Sequence, residues 1–143
     1  MNAETTQPDN PAWTDADLSE NPHENADKAD RVQKMFSAIA PSYDLNNRVH
    51  SMWRDQAWRR TAVKMAQLKT SDDVVDIACG TGDLSIAFAG ALGDEGTVTG
   101  IDFTHEMLVV AEQKNLANKR IAYMQGDAMK LPLSDACCDR AGV

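Results

Sequence analysis

Cysteine is scarce in this chain of 143 residues, occurring only as Cys79, Cys137 and Cys138. An odd count with two adjacent members excludes a disulfide framework and offers no zinc-site spacing, so a reduced cytoplasmic setting is expected. His23, His50 and His105 lie far apart in sequence, and neither a metal site nor a catalytic triad can be assembled from them. No apolar run approaches the ~20 residues that span a bilayer. The N-terminus has no basic stretch followed by an apolar one, so no signal peptide is read there. Basic residues are also in deficit, 14 against 22 acids, for a net charge of −8. That balance provides no electrostatic footprint for nucleic acid. The acidity is uneven: residues 1–30 hold eight acids against Lys28 alone, and the remainder holds thirteen bases against fourteen acids. An acidic tail therefore precedes a nearly neutral body. No internal repeat is present.

The length suits one domain. Residues 1–29 are polar, acidic and punctuated by Pro8, Pro11 and Pro22, and read as a disordered tail. From Asp30 the apolar residues Val32, Met35, Phe36 and Ile39 recur at helical spacing, and Pro41 ends that helix. Tyr43-Asp44-Leu45-Asn46-Asn47 reads as a loop of turn formers. Ser51 is placed to cap a second helix running to about Leu68. Trp58, Ala62, Met65 and Ala66 would form its inner side, and Arg54, Arg59, Arg60 and Lys64 a solvated basic face. Residues 30–69 thus form a helical cap.

The rest of the chain is organised around Val74-Val75-Asp76-Ile77-Ala78-Cys79-Gly80-Thr81-Gly82-Asp83-Leu84. Its β-branched start reads as a buried parallel strand over 74–78. Gly80 and Gly82 permit a tight turn. Leu84, Ala87, Phe88 and Ala91 then mark one face of a helix over 83–92. A second strand ends in Asp102, Thr104 can cap a further helix with Met107, Leu108 and Ala111 inward, and a third strand leads to Gly126-Asp127-Ala128. The β-α-β-α-β order predicts an α/β fold with a parallel sheet. In such sheets, ligands sit outside the carboxyl ends of the strands.

Asp76, Asp102 and Asp127 all fall at those ends. A dinucleotide fingerprint would need Gly or Ala where Ser85 stands. A carboxylate at Asp76 would repel a pyrophosphate and suit a cation. The spacing Asp76-x-x-x-Gly80-x-Gly82 resembles the first motif of class I methyltransferases, which bind the sulfonium cofactor S-adenosyl-L-methionine (SAM). A nicotinamide-dependent oxidoreductase is the rival reading, and a non-enzymatic cofactor-binding fragment is a third. Asp102 follows Gly82 by the interval of a ribose-binding acid.

Residues 43–58, from Tyr43-Asp44-Leu45-Asn46-Asn47 through Met52-Trp53-Arg54 to Trp58, are similar to the N-terminal signature of ubiquinone/menaquinone biosynthesis C-methyltransferases. Gly126-Asp127-Ala128 followed by Leu131-Pro132 fits the same family, and the resemblance spans roughly residues 31–136. Asn46, His50 and Asp55 depart from the residues usual there. The resemblance implies the N-terminal portion of a Rossmann-like class I methyltransferase domain, about three parallel strands preceded by two cap helices and occupying residues 70–143. It implies SAM contacts at Thr81, Asp102, Asp127 and Ala128, beside the Asp76, Gly80 and Gly82 turn. It also implies methyl transfer to a ring carbon of a prenylated quinol in respiratory quinone biosynthesis; another small-molecule methylation shares the generic motifs. Peripheral membrane contact, to reach a lipid-soluble acceptor, follows from the same reading. Tyr43 and Asp44 are candidates for a general base, and no catalytic residue is assigned. The family's domain is longer and residues 135–143 depart from it. The expectation is a truncated chain with strand 74–78 left unpaired on one side and little activity alone.

Overall fold

The computed structural model describes residues 28–143, so the acidic residues 1–27 lie outside the described part. Helix α1 (Lys28–Ile39) runs into a 3-10 turn (Ala40–Ser42) with Pro41 inside it. Helix α2 (Tyr43–His50) and helix α3 (Asp55–Ala66) complete the cap. The α/β part follows as β1 (Asp73–Ile77), α4 (Asp83–Ala91), β2 (Thr97–Asp102), α5 (His105–Lys114), β3 (Ile121–Gln125) and β4 (Arg140–Gly142).

Among the described residues the named strands pair in parallel, in the order β3-β2-β1-β4. The chain moves outward from β1 to β3 and returns to add β4 on the other side, so the order reverses at β1. That reversal is the switch point where open α/β sheets leave a crevice. Side chains of one sheet face, Val74, Val98 and Ile121, pack with Phe88, Ala89 and Leu92 of the α4 segment. Val63 and Ala66 of α3 and Leu84 and Ile86 of α4 close around them. Alternation along each strand produces this face, and the helical period of α4 meets it.

The structure differs from the sequence reading in four places. Residues 43–50 are helical, not a loop. Asp44 in the first turn is held by Lys114 and Thr81, and these tertiary bonds override the turn preference of Asp44, Asn46 and Asn47. The second cap helix starts at Asp55: Ser51 instead closes α2, and its hydroxyl accepts from the Asp55 N–H at 3.3 Å. Trp58 and Met65 face outward, while Val63 and Ala66 turn inward. Finally, the described residues hold four strands. Val74, Val75 and Asp76 pair with Arg140, Ala141 and Gly142, so β1 has neighbours on both sides. Asp139 secures the junction, since its N–H donates to the Asp73 carbonyl (2.8 Å) and its carboxylate accepts from the Asp73 N–H (2.9 Å).

Candidate functional site

A cavity of about 220 Å³ opens at the carboxyl ends of β1 and β2. Ile77, Ala78 and Gly80 form one wall, Asp102, Phe103 and Thr104 another, and Gly126 and Ala128 the edge beyond β3. Met107 of α5 contributes apolar surface, and Phe36 and Tyr43 reach in from the cap. Those two rings meet edge-on at 6.2 Å. The volume is below the ~300–1,000 Å³ of ordinary ligand pockets, and Val32, Phe36 and Tyr43 of the N-terminal helices occupy one side of it.

The turn after β1 is built from left-handed backbone. Ala78, Gly80 and Gly82 have φ of 56°, 56° and 78°. For Ala78 this conformation is strained, and strain of this kind collects at functional sites. A Cβ added at Gly80 would meet only a Tyr43 ring carbon, at 3.9 Å, so bare backbone faces the cavity there. At Gly82 the same addition would strike Tyr123 Oη at 2.3 Å and the Ala111 Cβ at 3.0 Å. Gly80 therefore leaves room for a ligand, and Gly82 leaves room for the packing beneath the turn.

Asp102 joins the two halves of the cavity. Its Oδ2 accepts from the Gly80 N–H and its Oδ1 from the Thr104 N–H, both at 2.8 Å. Each oxygen retains a lone pair for a further donor. The carboxylate thus stands at the cavity wall, already oriented, next to the start of α5.

The other candidates are placed differently. Asp76 is 1% exposed and does not line the cavity. Its Oδ2 accepts from the Ser85 hydroxyl beneath the turn, a role for Ser85 that the motif comparison did not foresee. Thr81 is buried, donates to Asp44 and accepts from Lys114 Nζ at 3.2 Å. Asp127 is exposed and its Oδ1 accepts from the Met129 N–H at 2.8 Å, while its neighbours Gly126 and Ala128 reach the cavity. Among the seven, Gly80, Asp102 and Ala128 line the cavity directly, and Asp76, Thr81, Gly82 and Asp127 surround it.

An ion network that the sequence reading missed fastens the cap over this turn. Lys114 at the end of α5 pairs with Asp44 (2.6 Å) and with Asp83, and Arg59 pairs with Asp83 (2.9 Å) and with Asp55. Arg59 is therefore not part of a merely solvated face. Burial raises the Asp44 carboxyl, but Lys114 and Thr81 outweigh it and hold the group below the ordinary range. That makes Asp44 a weak proton acceptor. No periodicity marks Lys114, which explains why only the fold reveals it.

Burial pushes the Asp76 carboxyl up to about 6; the Ser85 bonds oppose this and the nearby Asp102 charge adds to it. A raised folded-state value means that the folded protein holds the proton more tightly than the unfolded chain, whose value is ~3.9. The resulting stabilisation is whole below ~pH 4 and is lost as the pH rises through about 6. It amounts to about 2–3 kcal/mol. Asp76→Asn should remove this dependence. In paired urea melts, the variant should gain on the parent by about 2–3 kcal/mol between ~pH 4 and ~pH 7; parallel curves would show that Asp76 does not titrate as its burial requires.

Comparison with known proteins follows the same outline. Demethylmenaquinone methyltransferases of Bacillus cereus (strain AH187) and Bacillus anthracis are each 40% identical to the chain over 114 residues, covering 78% of it and 48% of theirs. The chain spans about half the length of the curated relatives it matches. A SAM-dependent methyltransferase from Aquifex aeolicus superposes with a TM-score of 0.54 at 27% identity, over 58% of this chain and 45% of that one. The putative methyltransferase complex with the activator Trm112 from Haloferax volcanii shares the fold, with a TM-score of 0.61 at 22% identity over 74% of this chain and 45% of that one. The ubiE/COQ5 methyltransferase family matches residues 24–143, and the chain belongs to that family.

Proposed function

We propose that the protein takes part in SAM-dependent C-methylation of a prenylated quinol, a demethylmenaquinol or a ubiquinol precursor. The observation that carries this is the cavity at the switch point, where bare Gly80 backbone stands beside the oriented Asp102 carboxylate. These residues suit an adenosyl group. Asp102 would accept from the ribose hydroxyls. Phe103, Met107 and Ala128 would offer apolar surface to a purine, and Asp127 would accept from its exocyclic amine. The cofactor, when bound, supplies an electrophilic methyl on a sulfonium. The acceptor carbon would take that methyl as the sulfonium–methyl bond breaks, leaving S-adenosylhomocysteine, and the ring proton would pass to water. Tyr43 stands at the cavity, and Asp44, held by Lys114, serves the cap instead. Phe36 and Tyr43 would exclude water from the reacting groups, and alignment then supplies much of the rate. The demethylmenaquinone methyltransferases at 40% identity favour a quinol acceptor.

The test joins residues 1–143 to the C-terminal half of the Bacillus cereus relative and expresses the chimera in a strain lacking its quinone C-methyltransferase. Methylated quinone, seen by mass, is expected. A demethylated quinone that persists despite good expression would refute the acceptor. Calorimetry of the chain with S-adenosylhomocysteine and NAD addresses the cofactor, with NAD binding alone as the contrary result.

A further inference from the structure

The seam between α3 and α4 carries a groove of about 910 Å³. Its floor is apolar, with Val63 from α3 and Ile86, Ala87 and Ala91 from α4. Gly90 lies among them in the last turn of α4 and keeps an ordinary helical backbone, so no turn requires a glycine there. A Cβ added to it would meet nothing within 4 Å. Neither the backbone nor the packing of the described residues calls for this glycine, which costs helix stability relative to alanine; a surface that another chain segment approaches closely does call for one.

The rim is cationic. Arg48, Arg60 and Lys64 line the groove, are exposed, and form no ion pair among the described residues. Residues 45–65 carry five bases against one acid, whereas residues 66–143 carry six bases against twelve acids. The basic groove therefore stands on a body that is acidic elsewhere.

We infer that this groove docks residues 9–20 of the same chain. Residues 1–27 contain seven acids and neither lysine nor arginine. Within 9–20, Asp9, Asp15, Asp17 and Glu20 surround the apolar Trp13 and Leu18. The segment thus brings carboxylates to three unpaired cations and two apolar side chains to an apolar floor. It lies outside the part matched to the family, which begins at residue 24. The reach suffices. Fifteen residues separate Trp13 from Lys28 at the start of α1, and a chain of that length spans up to about 50 Å. A compact body of residues 28–143 is about 35 Å across. The acidic remainder of the body repels the segment, and the groove attracts it. Tethering also holds it at an effective concentration that a separate acidic partner does not match. This inference goes beyond the methyltransferase reading and does not rest on it.

The experiment is zero-length carbodiimide coupling, which joins a carboxylate to an amine in contact with it. It is applied to an equal mixture of ¹⁵N-labelled and unlabelled 143-residue chain and read by peptide mass. Lys64 should be joined to Asp9, Asp15, Asp17 or Glu20 carrying the same label. The Lys114–Asp44 pair, at 2.6 Å, supplies the internal control. The Lys64 yield should fall at least about tenfold in 1 M salt, where the Debye length is ~3 Å. Gly90→Leu fills the groove while favouring the helix, and should lower the yield about tenfold with the control product still formed. R48Q/R60Q should lower it to a similar extent. In ¹⁵N spectra, the amides of Ala87, Gly90 and Ala91 should move when Asp9→Asn, Asp15→Asn, Asp17→Asn and Glu20→Gln are combined. Absence of the Lys64 product while the control forms would overturn the proposal. Equal yields at Lys64 and at the exposed Lys119 and Lys130, which lie outside the groove, would reduce it to chance encounter and overturn it too. Products of mixed label would assign the groove to a second copy and refute docking within one chain. An unchanged yield in both Gly90→Leu and R48Q/R60Q would place the segment elsewhere on the body, again against the proposal.

Discussion

Replacing Asp102 with alanine is expected to lower the affinity for S-adenosylhomocysteine about a hundredfold. The loss follows from the two tasks of one carboxylate. It offers its remaining lone pairs to the ligand, and each charge-assisted hydrogen bond contributes ~1.5–3 kcal/mol before water compensates. It also anchors the Gly80 and Thr104 N–H groups at 2.8 Å, so its removal leaves two donors seeking partners and loosens both cavity walls. Asp102→Asn separates the tasks. Its single amide oxygen can satisfy one of the two N–H groups, while its NH2 faces the other. Binding should fall almost as far as in the alanine variant, whereas stability should recover in part. Calorimetry with urea melts reads both quantities. An affinity within about twofold of the parent would place the ligand away from this carboxylate.

Gly82→Ala should damage the fold rather than the ligand contacts. The residue holds φ +78°, where an L side chain costs roughly 1–2 kcal/mol. The new methyl would also meet Tyr123 Oη at 2.3 Å and its ring carbon at 2.9 Å, and overpacking typically adds ~1–3 kcal/mol. A destabilisation of about 3–4 kcal/mol is expected, a large fraction of what a domain possesses. Tyr123 suggests a partial rescue. Among the described residues its buried hydroxyl makes no hydrogen bond of normal geometry, Ser85 being its nearest polar influence, and burial pushes its pKa up to about 12. Tyr123→Phe alone should therefore be neutral or slightly stabilising. In the Gly82→Ala background it should restore about 1–2 kcal/mol by removing the nearest clash. Purely additive effects would show that the two side chains do not meet as described.

The parts of this fold that could be read in advance are those whose period is set by burial. Val74, Val98 and Ile121 announced their strands because each faces α4, and Met107, Leu108 and Ala111 announced the inner side of α5 for the same reason. The turn was legible because Gly80 and Gly82 have a conformational task that few residues can perform. Other features depend on partners far away in sequence. Asp44 looked like a turn former until Lys114, seventy residues later, turned it into a helix anchor. Trp58 and Met65 looked like core by their chemistry, yet α3 packs Ala66, as expected, together with the unforeseen Val63 against the core. Asp76 was placed by its charge at the strand end, where a cation could use it; Ser85 draws it under the turn. The strand at Arg140–Gly142 is too short to carry a period, and only its pairing with Val74–Asp76 reveals it.

The central claim is that the crevice at the β1–β2 ends holds an adenosyl ligand against Gly80, Asp102 and Ala128. Backbone amide NMR of the ¹⁵N-labelled chain, titrated with S-adenosylhomocysteine, tests it most directly. The account predicts that the amides of Ala78, Gly80, Phe103, Thr104 and Ala128 shift together along one binding curve, while those of the distant β4 residues Arg140 and Ala141 stay in place. A spectrum unmoved by a saturating excess, or shifts confined to residues away from the cavity, would contradict it.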